Sequence, residues 1–266
     1  MRLYDRDYSI IITDEEREAQ DAYIKFKDKR IKRAHDFDPR VMHPDFECRR
    51  FIWRYNSLFP NNYLEPIRQF KDDLERPEFI SEAAVFKSFI NVYGDESEIQ
   101  KNIKDNRKWF IPGSIFKCYN FGHHDAYLFP EMQLGTKYRV DYALLGRNSD
   151  GYSLVLVEFE KASCDFILKS SSTESKEVRN GIAQIRDWKQ WIDSNREHHL
   201  REAGFTDKGI DIPSSMIHYC LVVSRRERMG ERARKLRNQI CADMNNTKII
   251  SYDRLIDNMW NLDHGY

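Results

Sequence analysis

Apolar and polar positions follow the clearest pattern between residues 137 and 161. Residues 138–145 are rich in β-branched and aromatic side chains and predict a strand, and residues 151–159 (GYSLVLVEF) predict a second one. The turn-forming run between them, residues 146–151 (GRNSDG), predicts an antiparallel hairpin. If the turn is centred on Ser149 and Asp150, the numbers of facing residues sum to 299, and Asp141 lies opposite Glu158.

Carboxylates follow the apolar part of the second predicted strand. Because successive side chains of a strand point to opposite faces, Glu158 and Glu160 share one face with Leu156. Facing residues of a hairpin lie about 5 Å apart, so Asp141 joins them, although a register shift of one residue would turn it away. Grouped acids are costly unless a cation lies between them, and hard divalent cations prefer carboxylate oxygens. The pattern leaves two interpretations open, a divalent-cation site or solvent-facing acids at a strand end.

Further elements are indicated on both sides of this hairpin. Residues 97–110 predict a helix with Ser97 as its N-cap, and residues 177–194 predict a helix with a buried stripe at Ile182, Ile185 and Ile192. Strands are expected at residues 114–121, 218–224 and 248–252, with a basic helix after the second of these. This order predicts an α/β fold with layered helices and strands over residues 91–266, preceded by an accessory region, residues 1–90, whose fold the pattern leaves open.

Composition excludes several classes of protein. The 266 residues contain no run of eighteen apolar residues and no apolar segment near Met1, which predicts a cytoplasmic protein without a membrane span or secretory signal. The five cysteines are scattered, as is typical of reduced thiols. Since no glycine-rich phosphate loop is present, no nucleotide cofactor is expected.

Charge is balanced over the whole chain but not locally. The formal net charge is zero, so whole-chain electrostatics do not indicate a nucleic-acid-binding protein. Residues 224–237 nevertheless form a basic run directly after a predicted strand. Such a run is most simply a solvated face, and the alternative is a surface that contacts phosphates through Arg225, Arg226 and Arg228.

The order of Asp141, Glu158, Glu160, Lys161 and Gln184 resembles that of the PD-(D/E)XK nuclease superfamily. The chain is most similar to the Shedu antiphage-defence nuclease family, over about residues 95–257. The resemblance is carried by residues 139–143 (RVDYA), 156–161 (LVEFEK), 183–188 (AQIRDW) and 250–255 (ISYDRL). It implies a restriction-endonuclease-like mixed sheet flanked by helices.

The resemblance also implies roles for individual residues. Asp141 and Glu158 match the family's metal-binding acids. Glu160 stands where a lysine is usual, as in Glu-x-Glu members of the superfamily, and Lys161 follows one residue later. Gln184 matches the glutamine on the helix after the hairpin. For the acid on the first helix the candidate is Glu98, with Glu96 as the alternative.

The implied activity is a DNA endonuclease that depends on Mg²⁺ or Mn²⁺ and acts in antiviral defence. DNA and further copies of the chain are the partners that the resemblance implies. In the metal site, Asp141, Glu158 and Glu160 would be the ligands. The alternative is a catalytically inactive module that has a nuclease scaffold and binds nucleic acid or another partner. It is suggested by the glutamate that replaces the usual lysine. A purely structural interaction protein is a third possibility.

Overall fold

A mixed five-stranded sheet organises the chain. The structure is a computed structural model that describes residues 78–122, 125–171 and 173–262. The strands are β1 (Asp125–Pro130), β2 (Gln133–Leu134), β3 (Tyr138–Arg139), β4 (Tyr142–Asn148), β5 (Gly151–Phe159), β6 (Ile217–Val222) and β7 (Thr247–Ile250). The α-helices are α1 (Phe79–Val92), α2 (Glu96–Asp105), α3 (Phe110–Gly113), α4 (Lys176–Glu202), α5 (Glu231–Asp243) and α6 (Tyr252–Met259). Short 3₁₀ helices span Ser114–Cys118, Thr206–Lys208, Ser214–Met216 and Arg226–Arg228.

Strand order and direction match the expected fold class. The sheet runs β1-β4-β5-β6-β7, in which β1, β4 and β5 are antiparallel neighbours and β5, β6 and β7 are parallel. Strands β2 and β3 form a separate two-stranded ladder. The predicted α/β fold, a mixed sheet flanked by helices, is therefore confirmed.

The β4–β5 hairpin has the predicted register. Tyr142 pairs with Val157 and Asn148 with Gly151, so Ser149 and Asp150 form the turn. The first predicted strand is interrupted, however, because β3 ends at Arg139 and β4 begins at Tyr142. Between them the backbone bonds to the β1–β2 connection instead, since the Val140 N–H donates to Met132 O and Asp141 O accepts from Glu131 N–H.

Helices cover both faces of the sheet. On β5, Leu154 and Leu156 pack in a core shared with α4, whereas Val155, Val157 and Phe159 pack in a second core with α1 and α6. Strand β6 is also covered on both sides, which explains its continuous apolar sequence. None of the helices in the described residues is long and apolar enough to cross a membrane.

Two predictions for the segment before the sheet are wrong. The predicted helix over residues 97–110 begins at Glu96, with Asp95 as its N-cap residue, and ends at Asp105. Arg107 has a left-handed φ of 49°, which ends the helix before Phe110 begins the next one. Residues 114–121 do not form the predicted strand, because the helical backbone of α3 continues into the 3₁₀ helix Ser114–Cys118.

The predicted elements after the hairpin are present with shifted boundaries. Helix α4 extends to Glu202, begins after Ser175, whose Oγ accepts from Val178 N–H, and buries the predicted isoleucine stripe together with Trp188. The basic helix begins at Glu231 rather than directly after β6. The last strand ends at Ile250, and Tyr252 already belongs to α6.

Helix α1 crosses the predicted boundary between residues 90 and 91. Its apolar side (Phe79, Ala83, Phe86 and Ile90) is buried in the core beneath the sheet and packs on α6. The described end of the accessory region is thus part of the same packed unit. The predicted accessory region otherwise lies outside the described residues.

Candidate active site

Three carboxylates meet where β4 begins and β5 ends. Asp141 precedes β4, Glu158 lies in β5, and Glu160 follows β5 by one residue. Glu158 and Glu160 are only 5% and 7% exposed. Both lie on the α4 side of the sheet, where Gly181 allows close approach: a Cβ there would lie 3.2 Å from Glu160 Cγ and 2.5 Å from Leu221 Cδ1.

Backbone contacts hold the two strand ends in place. One carboxylate oxygen of Asp141, Oδ2, accepts a hydrogen bond from Phe159 N–H at 2.7 Å. This bond directs the Asp141 side chain towards the end of β5, as the predicted register requires. From the opposite face of the sheet, the buried hydroxyl of Tyr252 donates to Glu160 O at 2.6 Å. The position of Glu160 therefore depends on helix α6.

Burial and mutual repulsion shift the pKa of every member of this cluster upwards. For Glu158, burial and then the charges of Asp141, Glu96 and Glu160 raise the pKa to about 10, against a hydrogen bond from Gln184 that lowers it. For Glu160, burial and neighbouring carboxylates raise the pKa to about 7. Burial also raises the pKa of Asp141, although its hydrogen bonds with Phe159 N–H and Gln100 oppose the shift.

A fourth carboxylate comes from helix α2, and it is Glu96 rather than Glu98. Burial and the charge of Asp141 raise the pKa of Glu96, and Glu96 in turn raises the pKa of Glu158 and Glu160. Glu98 is exposed. Two residues of helix correspond to about 200° of rotation, so the two side chains point to nearly opposite sides.

Gln100 is the neighbour that sequence reasoning missed. It lies four residues after Glu96, on the same side of α2, and its side chain forms hydrogen bonds with the carboxyl groups of both Glu96 and Asp141. The i, i+4 spacing from Glu96 was visible in the sequence. With Ser97 as the predicted N-cap, however, Glu96 lies outside the predicted helix, so this spacing does not single out Gln100.

Gln184 lies at the cluster and Lys161 lies at its margin. Gln184 is on α4, three residues after Gly181, and forms a hydrogen bond with the carboxyl group of Glu158. Lys161 Nζ instead lies 3.2 Å from Asp95 Oδ1, with its side chain 45% exposed. Its charge still lowers the pKa of Glu96 and Glu160, so it influences the site without an ion pair to Glu158 or Glu160.

The three arginines predicted to contact nucleic acid lie outside the carboxylate cluster and form ion pairs with other acids. Arg225 is 5% exposed and forms a two-pronged ion pair with Asp253, through Nε at 3.1 Å and NH2 at 3.0 Å. Arg226 pairs with Asp257, and Arg228 NH1 lies 3.3 Å from Asp165 Oδ1. All three charges are therefore matched by acids of the same chain.

The carboxylates suit a hard divalent cation by their chemistry, but they do not form a ready coordination shell. In the part of the chain that the structure describes, no group of three or more His, Cys, Asp or Glu side chains is arranged to hold a metal ion. The carboxyl groups are close enough to raise one another's pKa, and one oxygen of Asp141 is bound to the backbone. Neither Glu158 nor Glu160 has a Lys or Arg ion pair among the described residues, so a cation would relieve their repulsion.

A cavity of about 860 Å³ opens beside Asp141. It lies between α2 and the end of β1, and its walls include the cationic side chains of Lys101, Lys104 and Arg107. Acids also line it: Lys101 pairs with Asp105 and Lys104 with Glu131. Trp109, Phe129 and Tyr142 supply aromatic walls. An anionic, extended ligand could approach the carboxylate cluster from this side.

Acids at the ends of two neighbouring strands, on a mixed sheet between two layers of helices, are the arrangement expected for the restriction-endonuclease-like fold that the sequence resemblance implies. A family model described as Shedu protein SduA, C-terminal, matches residues 94–256, which is more than half of the chain. The chain therefore belongs to the Shedu family, and the predicted resemblance is confirmed.

Comparison with solved structures finds the restriction endonuclease FokI. With FokI bound to DNA, the chain shares 13% sequence identity at a TM-score of 0.36, and 76% of this chain matches 33% of the other. With FokI alone, the identity is again 13%, the TM-score is 0.34, and the coverage is 74% and 34%. The chain thus spans about a third of the length of that enzyme. Among curated proteins, no relative matches.

Proposed function

We propose that this chain is a metal-dependent nuclease that hydrolyses DNA phosphodiester bonds in antiviral defence. The observation that carries the proposal is the carboxylate cluster of Asp141, Glu158, Glu160 and Glu96, in which burial and repulsion raise the pKa of Glu158 to about 10. Buried carboxylates that repel one another disfavour folding, and strongly shifted pKa values of this kind are concentrated at functional sites. Membership of the Shedu family supports the role in defence.

Asp141, Glu158 and Glu160 would hold Mg²⁺ or Mn²⁺. When bound, the cation would neutralise charge on the scissile phosphate and lower the pKa of water. Glu160 would serve either as a ligand of a second cation or as the general base that accepts a proton from the attacking water, since burial and neighbouring carboxylates raise its pKa to about 7 in the metal-free chain. Gln184 would orient Glu158 through its hydrogen bond, and Gln100 would do the same for Asp141. Glu96 adds a fourth negative charge that strengthens the demand for a cation.

The cavity beside Asp141 supports an approach path for DNA. Lys101, Lys104 and Arg107 in its walls could contact phosphates on one side of the scissile bond. These contacts would be independent of base sequence and would weaken as salt is added. Assembly into a homo-oligomer is part of the proposal on family grounds alone.

A catalytically inactive DNA-binding module is the second candidate. Two observations favour it: glutamate stands at the position usually taken by lysine, and the described residues contain no ready-made metal set. It predicts retention of DNA without binding of Mn²⁺.

The deciding experiment incubates the full chain with linear and circular DNA in the presence of Mg²⁺ or Mn²⁺. Cleavage is expected for the natural chain and for Glu98→Gln, which changes an exposed acid on the same helix as Glu96. Loss of cleavage is expected for Glu158→Ala, and a decrease of about 10–100-fold is expected for Glu96→Gln. Cleavage that survives Glu158→Ala would remove the proposed site.

Calorimetry with Mn²⁺ separates the two candidates. The nuclease requires saturable Mn²⁺ binding that Glu158→Ala abolishes. Retention of DNA on a filter together with no Mn²⁺ binding would establish the inactive module instead.

A further inference from the structure

A second cavity, of about 640 Å³, runs along the free edge of β7 between helices α5 and α6. Its walls are strongly basic, and the described residues that line it include no Asp or Glu side chain. The cations around it are Lys117, Arg226, Arg234, Arg237, Lys248 and Arg254. They come from five elements, namely two 3₁₀ helices, α5, β7 and α6, so their convergence is a property of the tertiary fold rather than of one basic segment.

Most of these charges have no acidic partner. Arg226 pairs with Asp257. The other cations differ: four of them form no ion pair with a carboxylate of the described residues, namely Arg234, Arg237, Lys248 and Arg254. Arg237 donates a hydrogen bond to Asn238 Oδ1. Lys248 Nζ lies 5.2 Å from the centre of the Tyr119 ring. In a chain whose total charge is zero, the described residues thus place four cations without an ion pair around one concavity. Because like charges repel one another there, an anion is the expected occupant.

The basic cavity extends along β7, and one end of it lies at the same end of the sheet as the carboxylate cluster. Strands β5, β6 and β7 are parallel, so their C-terminal ends point the same way. Glu160 N–H bonds to Val222 O, and Val223 N–H bonds to Ile250 O, which brings Ser251 in the wall of the cavity level with Glu160. Two strand spacings of ~4.8 Å separate them, about 10 Å in all.

We propose that this cavity binds the phosphodiester backbone of the DNA whose scissile phosphate lies at the carboxylate cluster. The inference rests on the proposed nuclease function and adds a second contact surface to it. The backbone is favoured over a free nucleotide because no aromatic side chain lines the cavity to stack a base. Contacts of this kind position a duplex without reading its sequence.

The test compares two charge reversals on helix α5 of the full chain. Arg234→Glu with Arg237→Glu removes two cations of the cavity, whereas Arg232→Glu with Lys235→Glu makes the same change in net charge outside it. Binding of a fluorescent linear duplex is followed by anisotropy in EDTA over a series of salt concentrations. We expect at least a tenfold loss of affinity for the first variant and a slope of log affinity against log salt that is smaller by about 2, since each lost phosphate contact removes about 0.9. The second variant should stay within twofold of the natural chain.

A second pair keeps the test independent of any damage to helix α5. Lys248→Gln with Arg254→Gln removes the cations on β7 and α6, and it should weaken DNA binding in the same direction. Equal losses for the cavity and control variants, or unchanged binding for both cavity variants, would overturn the inference. So would micromolar binding of ATP that Arg234→Glu with Arg237→Glu abolishes while DNA binding is unchanged.

Because binding is measured in EDTA, the outcome does not depend on catalysis. If the natural chain binds DNA through this cavity but never cleaves it, the cavity keeps its role as a backbone-binding surface, whereas the nuclease proposal and the placement of a scissile phosphate at the cluster both fail. If it cleaves DNA but both cavity variants bind as well as the natural chain, the nuclease proposal stands and the inference fails.

Discussion

Replacing Glu158 by glutamine should stabilise the metal-free protein, and increasingly so as the pH rises. Burial and neighbouring carboxylates raise the pKa of Glu158 from 4.5 to about 10. Over this range the folded state keeps a proton that the unfolded state releases. The contribution of the group to stability is therefore complete below pH 4.5 and is lost as the pH rises through 10.

The size of the effect follows from proton linkage. Each pH unit within the window costs about 1.36 kcal/mol, so three units between pH 5 and pH 8 cost at most about 4 kcal/mol. Glutamine has nearly the same shape, carries no charge and can still form a hydrogen bond with Gln184. Relative to the natural chain, Glu158→Gln should gain up to about 4 kcal/mol of unfolding free energy from pH 5 to pH 8.

Urea unfolding in EDTA at several pH values measures this difference. Glu98→Gln is the matched control, because it removes an exposed carboxylate, and it should follow the natural chain at every pH. Adding Mn²⁺ at pH 8 to about 100 times its dissociation constant should stabilise the natural chain by about 2.7 kcal/mol and the variant by less. If Glu158→Gln and the natural chain lose stability in parallel as the pH rises, Glu158 is not the desolvated acid that the structure describes.

Three further changes test how the site is held. Gly181→Ala would bring a Cβ within 2.5 Å of Leu221 Cδ1. Because the buried Leu221 side chain or α4 must then shift, we expect the free energy of urea unfolding to fall by about 1–3 kcal/mol. Unchanged stability would contradict the close packing. Arg225→Ala would leave Asp253 without its cation, and we expect the free energy of unfolding to fall by about 3–5 kcal/mol. A fall below about 1 kcal/mol would show that the pair behaves as an exposed one. Glu96→Gln should lower DNA cleavage by about 10–100-fold and Glu98→Gln should not; equal effects would refute the assignment of Glu96.

The hairpin with its acids could be predicted because its determinants are local. Turn-forming residues at 146–151 define the loop length, and a period of two then determines which residues face each other. The sequence alone therefore predicts that Asp141 and Glu158 lie close together. The isoleucine stripe of α4 was equally legible, because helical spacing in a long segment is a strong signal.

The choice between Glu96 and Glu98 depended on a detail that local patterns describe poorly. Asp95 and Ser97 are both acceptable N-cap residues, and a shift of one or two positions rotates a helix face by 100° to 200°. Only the packing of Ile99 and Ile103 into the core decides which acid faces the cluster. Gln100 was missed for the same reason.

The basic segment after β6 shows the same division. By itself the sequence established that cations are concentrated there, and that acids end an apolar strand. It could not show that Arg225 would be buried against Asp253, or that Arg234 and Arg237 would face Lys248 and Arg254 across a cavity. Hydrophobic period and turn chemistry act between residues that are near in sequence, whereas charge pairing acts between residues that only the packed fold brings together. The hairpin and its acids were thus determined locally, and the helix that supplies the fourth acid and the unmatched basic cavity were decided by tertiary structure alone.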